Sequence, residues 1–274
     1  MDYPIDADVE DILNDSLILL GGEPVSENEL IQYGPLELTV APKDGKANTL
    51  LADHLFSPSL LLAELIERNL LPAKDKTILE LGAGCALPSL LLATSAHDAP
   101  SLVVVTDYPD DTILSNLRSN VERNREAFQP SCGVQWAPFE WGSDVSHVKS
   151  ILPEGRTDGY DILILSDLLH FDRSHDVLIS SLTSLLRRST DARAYIAAGS
   201  YTRPEVRDTF LRKVEEAGLH VDLGSGSAED SPSLAQAAGN TQAEWLGKLQ
   251  VSGLDREQLA ARKSVCRFWT ARWA

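Results

Sequence analysis

The stretch Thr77–Ala93, TILELGAGCALPSLLLA, decides the fold. TILEL at 77–81 is a short, mostly apolar run opened by two β-branched residues, the type that favours extended backbone. A turn with two glycines follows, and Pro88 then opens a run of leucines. Proline is pre-organised for the first turn of a helix. The stretch predicts a buried strand, a glycine turn and a helix. Gly82 and Gly84 let the backbone turn sharply and approach a ligand closely. The amide hydrogens at the start of the following helix suit an anionic group.

The same alternation extends outward. Strands are expected at SLVVVTD (101–107), GVQWAP (133–138), YDILILSD (160–167), ARAYIAAG (192–199), LHVDLG (219–224) and SVCRFWTARW (264–273). Helices are expected at 57–70, 88–96, 112–126, 175–188 and 203–218. In the first of these Ser57 is the expected cap and Pro58 lies in the first turn; in the last, Pro204 starts the helix and Gly218 stops it. A short strand is expected within 35–41. Strands alternating with helices predict an α/β, Rossmann-like seven-stranded sheet with helices on both faces. The sheet should be mostly parallel with an antiparallel last strand. The late strands, with no long helix between them, suggest a hairpin at one edge. The expected organisation is an acidic extension with a short strand over 1–44 and one domain over 45–274. Residues 225–244 read as a polar loop.

Composition narrows the function. The chain has 274 residues, 43% of them hydrophobic, enough for a sizeable core. A formal net charge of −17 opposes tight electrostatic binding to nucleic acid and favours a basic partner, such as a basic protein tail; acidity that serves solubility is the plainer alternative. No apolar run approaches the roughly 20 residues of a membrane span. The acidic start MDYPIDADVEDILNDS has no basic leader, so no secretory or transit segment is expected. Cys85, Cys132 and Cys266 are scattered and make neither a disulfide framework nor a zinc site. A reducing compartment, cytosol or nucleus, is expected, with the cytoplasm the reading taken.

Four readings compete for the glycine turn. A nucleoside-triphosphate loop needs Gly-Lys-Ser/Thr, which does not occur in the chain. A dinucleotide site wants G-x-G-x-x-G; Gly82 and Gly84 fit, but the third position is Leu87. A bare strand-to-helix turn remains open. The fourth ligand is S-adenosylmethionine, a zwitterion with a sulfonium, a ribose and an adenine. Glu80 before the turn suits a cationic ligand. Asp107, ending the next strand, suits the ribose hydroxyls, and Trp141 in FEWG suits the adenine. Asp167 and His170, ending ILSDLLH, would stand at the transferred methyl.

This ordered set resembles the class I, seven-strand S-adenosylmethionine-dependent methyltransferases. Within them, VVVTDYPD…ILSNLRSNVERN and LSDLLHF…HD are similar to the lysine-methyltransferase-like branch, methyltransferase family 16, and to fungal proteins labelled nicotinamide N-methyltransferase. That group includes the enzyme that methylates the N-terminus and an adjacent lysine of translation elongation factor 1-alpha. The resemblance covers roughly residues 45–220. It implies that Glu80, Gly82 and Gly84 hold the methionyl part of the cofactor, that Asp107 binds ribose with Tyr108 beside the adenine, that Trp141 flanks the adenine, and that Ser166 and Asp167 line the methyl end. Phe56 stands where relatives carry a tryptophan near the cofactor. The motif's third glycine is Ala86, and His170 stands where relatives carry Tyr or Phe.

Methyl transfer is a direct displacement, and the amine that attacks must be neutral. Asp167 is the candidate for orienting the amine or the cofactor, and His170 for accepting a proton. Each has a plainer alternative. His170 suits a backbone-bonded histidine, Asp167 a helix cap, Asp107 a turn before Pro109, and Trp141 ordinary core. His175 reads as structural, and Cys85, with no identifiable His partner, is not read as a nucleophile. The expected function is N-methylation of a lysine or N-terminus of a basic protein, such as a translation factor. The alternatives are small-molecule, nicotinamide-like N-methylation, or a fold that binds without turnover.

Overall fold

In the computed structural model of the chain the described residues are 30–43, 45–223 and 244–274. The expectations for 1–29 and for almost all of the 225–244 loop lie outside them. A two-stranded hairpin, β1 (Ile31–Tyr33) and β2 (Leu36–Leu38), precedes the main sheet. The sheet is built from β3 (Thr77–Leu81), β4 (Leu102–Asp107), β5 (Gly133–Pro138), β6 (Ile162–Ser166), β7 (Arg193–Gly199), β8 (Leu219–Leu223) and β9 (Cys266–Trp273). Its order is β5-β4-β3-β6-β7-β9-β8. The first five run parallel, and β9 runs antiparallel to both neighbours.

The apolar runs of β3, β4 and β6 follow from burial on both faces. Alternate residues part to the two sides, as a period of two requires. Ile78, Val103, Val105, Ile162 and Ile164 join one core. Leu79, Leu81, Val104, Leu163 and Leu165 join the other. The first core is closed by α2 (Ser57–Glu67) and α3 (Leu87–Thr94), and the second by α6 (His175–Leu185) and α7 (Pro204–Glu216), with α1 (Gly45–Thr49), α4 (Asp111–Arg123), α5 (Ser146–Lys149) and α8 (Arg256–Ser264) completing the helices named here.

One expectation needs correction, and two segments pack in ways the sequence left open. Phe56, with extended backbone, caps α2 and makes no side-chain cap bond; Ser57 is already helical and buried, with Pro58 behind it. The late strands do pair antiparallel at one edge, β8 outermost against β9, but their connection is longer than expected. Within it α8 intervenes, opened by a reciprocal capping box between Asp255 and Gln258, and β9 inserts between β7 and β8. The D-x-x-Q pattern was readable in DREQ, but the charge of that segment concealed a helix with few apolar residues. Finally, Ile31, Tyr33, Leu36 and Leu38 share the core of Leu60, Leu62 and Leu90, so the hairpin is packed against the helices of the main sheet.

A ladder of amides attaches this hairpin. Asn116, Asn120 and Asn124 recur every four residues along α4 and so share a face. Asn124 exchanges two bonds with the Glu37 backbone, both at 2.8 Å. Asn120 accepts from the Thr39 amide at 2.9 Å and donates to the Thr39 carbonyl at 2.8 Å. The helix thus offers the chain the pairing that a neighbouring strand would. Asn120 Nδ2 also donates to the Cys85 carbonyl at 3.3 Å, which ties the ladder to the glycine turn. Asn120→Leu should therefore destabilise the protein by about 2–4 kcal/mol in urea unfolding, because buried backbone groups lose their partners. A change within about 0.5 kcal/mol would remove the ladder from the supports of the fold.

Candidate active site

A cleft of about 210 Å³ opens at the carboxyl ends of β3, β4 and β6. This is where the sheet order reverses, the place where open α/β sheets bind ligands. The turn Gly82–Cys85 forms its base. The α1–α2 connection, with Leu50, His54 and Phe56, makes one wall. Phe139–Trp141 after β5 and Ser166–Phe171 after β6 make the other.

The glycines do different things. Both hold left-handed backbone, φ +58° at Gly82 and +54° at Gly84. A Cβ on Gly82 would lie 2.8 Å from Leu168 Cδ2 and 3.0 Å from Trp141 Cζ2, so its absence lets these side chains close over the turn. A Cβ on Gly84 would meet nothing within 4 Å, so this glycine is set by its backbone conformation alone. Ala86 has φ +62° as well. That explains why a third glycine suits the position; the alanine carries about 1 kcal/mol of backbone strain.

Asp107 fastens the turn. Its Oδ2 accepts from the Gly84 amide and its Oδ1 from the Tyr108 amide, both at 2.7 Å. Each oxygen keeps a second lone pair for a ligand. Burial pushes this carboxyl up to about 6, against the pull of the two amides. Asp167 sits opposite, at the end of β6, with φ +62°. Its Oδ1 accepts from the Gly199 amide at 3.2 Å and its Oδ2 from the Tyr201 hydroxyl. Burial pushes it, too, up to about 6, opposed by these two donors. A non-glycine residue held left-handed at the rim of a cleft is strain of the kind found at functional sites.

The residues around Asp167 are braced. Ser166 Oγ and Ser59 Oγ lie 2.8 Å apart, joining β6 to α2. His175 is buried, donates to the Leu169 carbonyl at 2.7 Å, and packs edge-on against Phe210. The ring centroids of His170 and Phe171 are 4.0 Å apart, and Phe171 meets Trp141 edge-on at 5.8 Å. Across the cleft, His54 packs against Phe56 at 5.5 Å, and its Nδ1 is 2.9 Å from Asp53 Oδ1.

Phe56, Gly82, Gly84, Asp107, Tyr108, Trp141, Ser166, Asp167 and His170 all line this one cleft. Glu80 does not. It is fully buried in β3 between Val105 and Ile164, and neither carboxylate oxygen finds hydrogen-bond geometry with a partner among the described residues. Burial pushes it up to about 8, only partly offset by the polar groups of Ser89. Cys85 lines the cleft, but burial raises its thiol to about 12, so it is inert at neutral pH. His54, Phe139, Phe171 and Tyr201 were not singled out in the sequence. His54, Phe139 and Phe171 flank motifs that were, whereas Tyr201 carries no local signal.

A family model described as lysine methyltransferase matches residues 44–217. The chain is similar to the protein N-terminal and lysine N-methyltransferase of Emericella nidulans, 32% identical over 183 residues that cover 64% of this chain and 69% of that protein. It is also similar to the protein of the same description from Gibberella zeae, 33% identical over 191 residues covering 66% and 71%. Among solved structures, a SAM dependent methyltransferase from Aquifex aeolicus shares the fold, with TM-score 0.50 and 14% identity over 85% of this chain and 100% of that one.

Glu80 yields a pH-dependent prediction. Its folded pKa of about 8 lies above the ordinary carboxyl value of 4.5, so the folded state holds a proton that the unfolded state has lost. Its contribution to stability is full below about 4.5 and is lost as pH rises through about 8. In cofactor-free protein, Glu80→Gln should flatten the fall in stability between pH 5 and pH 8. At pH 8 it should be more stable than wild type by a few kcal/mol in urea unfolding. Parallel stability curves for the two proteins would refute a neutral, buried Glu80.

Proposed function

We propose that this chain, which belongs to the lysine methyltransferase family, transfers a methyl group from S-adenosylmethionine to an amine of a protein, a lysine side chain or an N-terminus. The residues present suit the cofactor. Asp107 retains acceptor capacity for two ribose hydroxyls. Tyr108, Phe139 and Trp141 supply flat apolar surface for an adenine. The left-handed turn leaves open space at Gly84 for the methionyl part. Glu80 does not line the cleft; its role is to lie behind the turn.

The observation that carries the reading is the Asp167 carboxylate, oriented by two donors at the rim of the same cleft as Asp107. When bound, S-adenosylmethionine supplies an electrophilic methyl on a sulfonium sulfur. Asp167 accepts an N–H bond from the acceptor amine and aims its lone pair. Positive charge accumulates on the nitrogen during transfer, so this bond strengthens toward the transition state. Phe56, Trp141 and Phe171 keep water from the amine, which favours its neutral form. His170 takes the proton that the amine sheds.

The relatives' descriptions as protein methyltransferases and the net charge of −17 support a basic protein as acceptor. A translation factor is the specific acceptor the resemblance implies, and the cytoplasm the setting. The aromatic wall of the cleft favours a second reading, in which a small heteroaromatic amine such as nicotinamide is methylated.

The test uses tritiated S-adenosylmethionine with two acceptors, a synthetic peptide bearing a free α-amine and an adjacent lysine, and nicotinamide. Label in the peptide is expected. Label in nicotinamide alone would move the reading to the small molecule, and label in neither would leave a binding module. Asp107→Asn, which keeps an acceptor for one turn amide, should weaken S-adenosylhomocysteine binding by roughly 10- to 100-fold in calorimetry. Unchanged affinity would count against the ribose role.

A further inference from the structure

We propose that Tyr201 is a positioning residue for methyl transfer, acting through Asp167, and that Gly199 exists to seat it; the inference rests on the role given to Asp167 above. Asp167 lies at the end of β6, and its amide continues the ladder to Ala197 O of β7 at 2.8 Å. Beyond that bond the left-handed turn of its backbone directs the carboxylate toward the end of β7. Two groups meet it there. Gly199 donates its amide to Oδ1, and Tyr201, two residues on, donates its hydroxyl to Oδ2. The two oxygens are thus fixed from one side by one turn, and the lone pairs that remain serve the cleft that Asp167 lines.

The turn that carries Tyr201 is rigid. Gly199 pairs with Cys266 of β9, the Ser200 amide donates to Val265 O at 2.6 Å, and the Thr202 amide donates to Gly199 O at 3.1 Å. Gly199 is not left-handed, so its backbone does not demand glycine. Space demands it: a Cβ there would overlap the Tyr201 ring. Tyr201 itself is not among the residues that line the cleft. Its hydroxyl therefore acts on the acceptor only through Asp167. A carboxylate held by two donors presents one geometry to an amine. Held by one, it swings, and displacement of about 1 Å costs on the order of 100-fold in rate.

The experiment compares wild type, Tyr201→Phe, Gly199→Ala, Asp167→Asn and the Tyr201→Phe/Asp167→Asn double variant. Each is assayed with tritiated S-adenosylmethionine and the free-amine peptide, with S-adenosylhomocysteine affinity and Tm measured alongside. Tyr201→Phe should lower kcat by roughly 10- to 100-fold while peptide KM and S-adenosylhomocysteine Kd stay within about twofold. Gly199→Ala, which displaces the ring from outside the cleft, should reproduce that loss. The double variant should be no slower than Asp167→Asn alone, because the two residues act as a unit. Wild-type kcat in Tyr201→Phe, or additive losses in the double variant, would overturn the assignment. A loss of Tm and cofactor affinity in step with kcat would also overturn it, since it would mark a structural role only. Inactivity of the wild type toward the peptide would instead overturn the reading on which the inference rests.

Discussion

The bond from the Gly84 amide to the Asp107 carboxylate, at 2.7 Å, is the contact on which the cleft depends. It joins the turn after β3 to the end of β4, and the same carboxylate holds the Tyr108 amide. A parallel sheet buried on both faces leaves its strands no polar surface except at their ends. Whatever chemistry the domain performs must therefore be assembled from the residues that leave β3, β4 and β6 at the carboxyl side. Two of those exits hold left-handed backbone, after β3 at Gly82 and Gly84 and after β6 at Asp167; glycine adopts it freely, whereas at Asp167 it is imposed by the surroundings.

The wall opposite β6 is supplied from the N-terminal part of the chain. The amide ladder of α4 fixes residues 37–39, and Ala41, Ala47 and Ala52 then pack with Ile113, with Tyr108 against them. This brings Leu50, His54 and Phe56 to the cleft. On the far side of α2, buried Glu64 pairs with Lys263 at 2.7 Å and accepts the Leu246 amide, while Glu67 accepts the Tyr33 hydroxyl and the Lys248 and Leu249 amides. One helix thus fastens the hairpin and residues 245–249 by its carboxylates and, through Ser59, touches the end of β6. Breaking such a buried pair on one side only is costly, because the remaining charge has no solvent to turn to.

The buried carboxylates mark where stability yields to function. Glu80, Asp107 and Asp167 are all raised above ordinary carboxyl values by desolvation. Asp107 and Asp167 are compensated by donors, and near neutral pH most of each is ionised, which is the state that accepts hydrogen bonds. Glu80 is offset only in part, by the polar groups of Ser89, and is held closer to its neutral form. Three carboxyls with the same cause of shift thus divide into two that serve the cleft and one beneath it.

The sequence by itself determined the order of elements and most of the site. Continuous apolar runs fixed β3, β4 and β6, Pro58, Pro88 and Pro204 marked helix starts, and the motif residues from Gly82 to His170 fell at strand ends, where local pattern is enough to place them. Tertiary structure alone decided the rest. Glu80 reads as a ligand in sequence, yet it is fully buried, beside Ser89, and is not among the residues that line the cleft. β9 inserts between β7 and β8 because strand order depends on long-range packing that no local period records. Tyr201 reaches Asp167 across 34 positions of chain. The asparagines of α4 resemble any polar helix face until residues 37–39 pair with them. Local periodicity is written in neighbouring residues, whereas these contacts exist only once distant segments share a core, and that is a property of the folded chain as a whole.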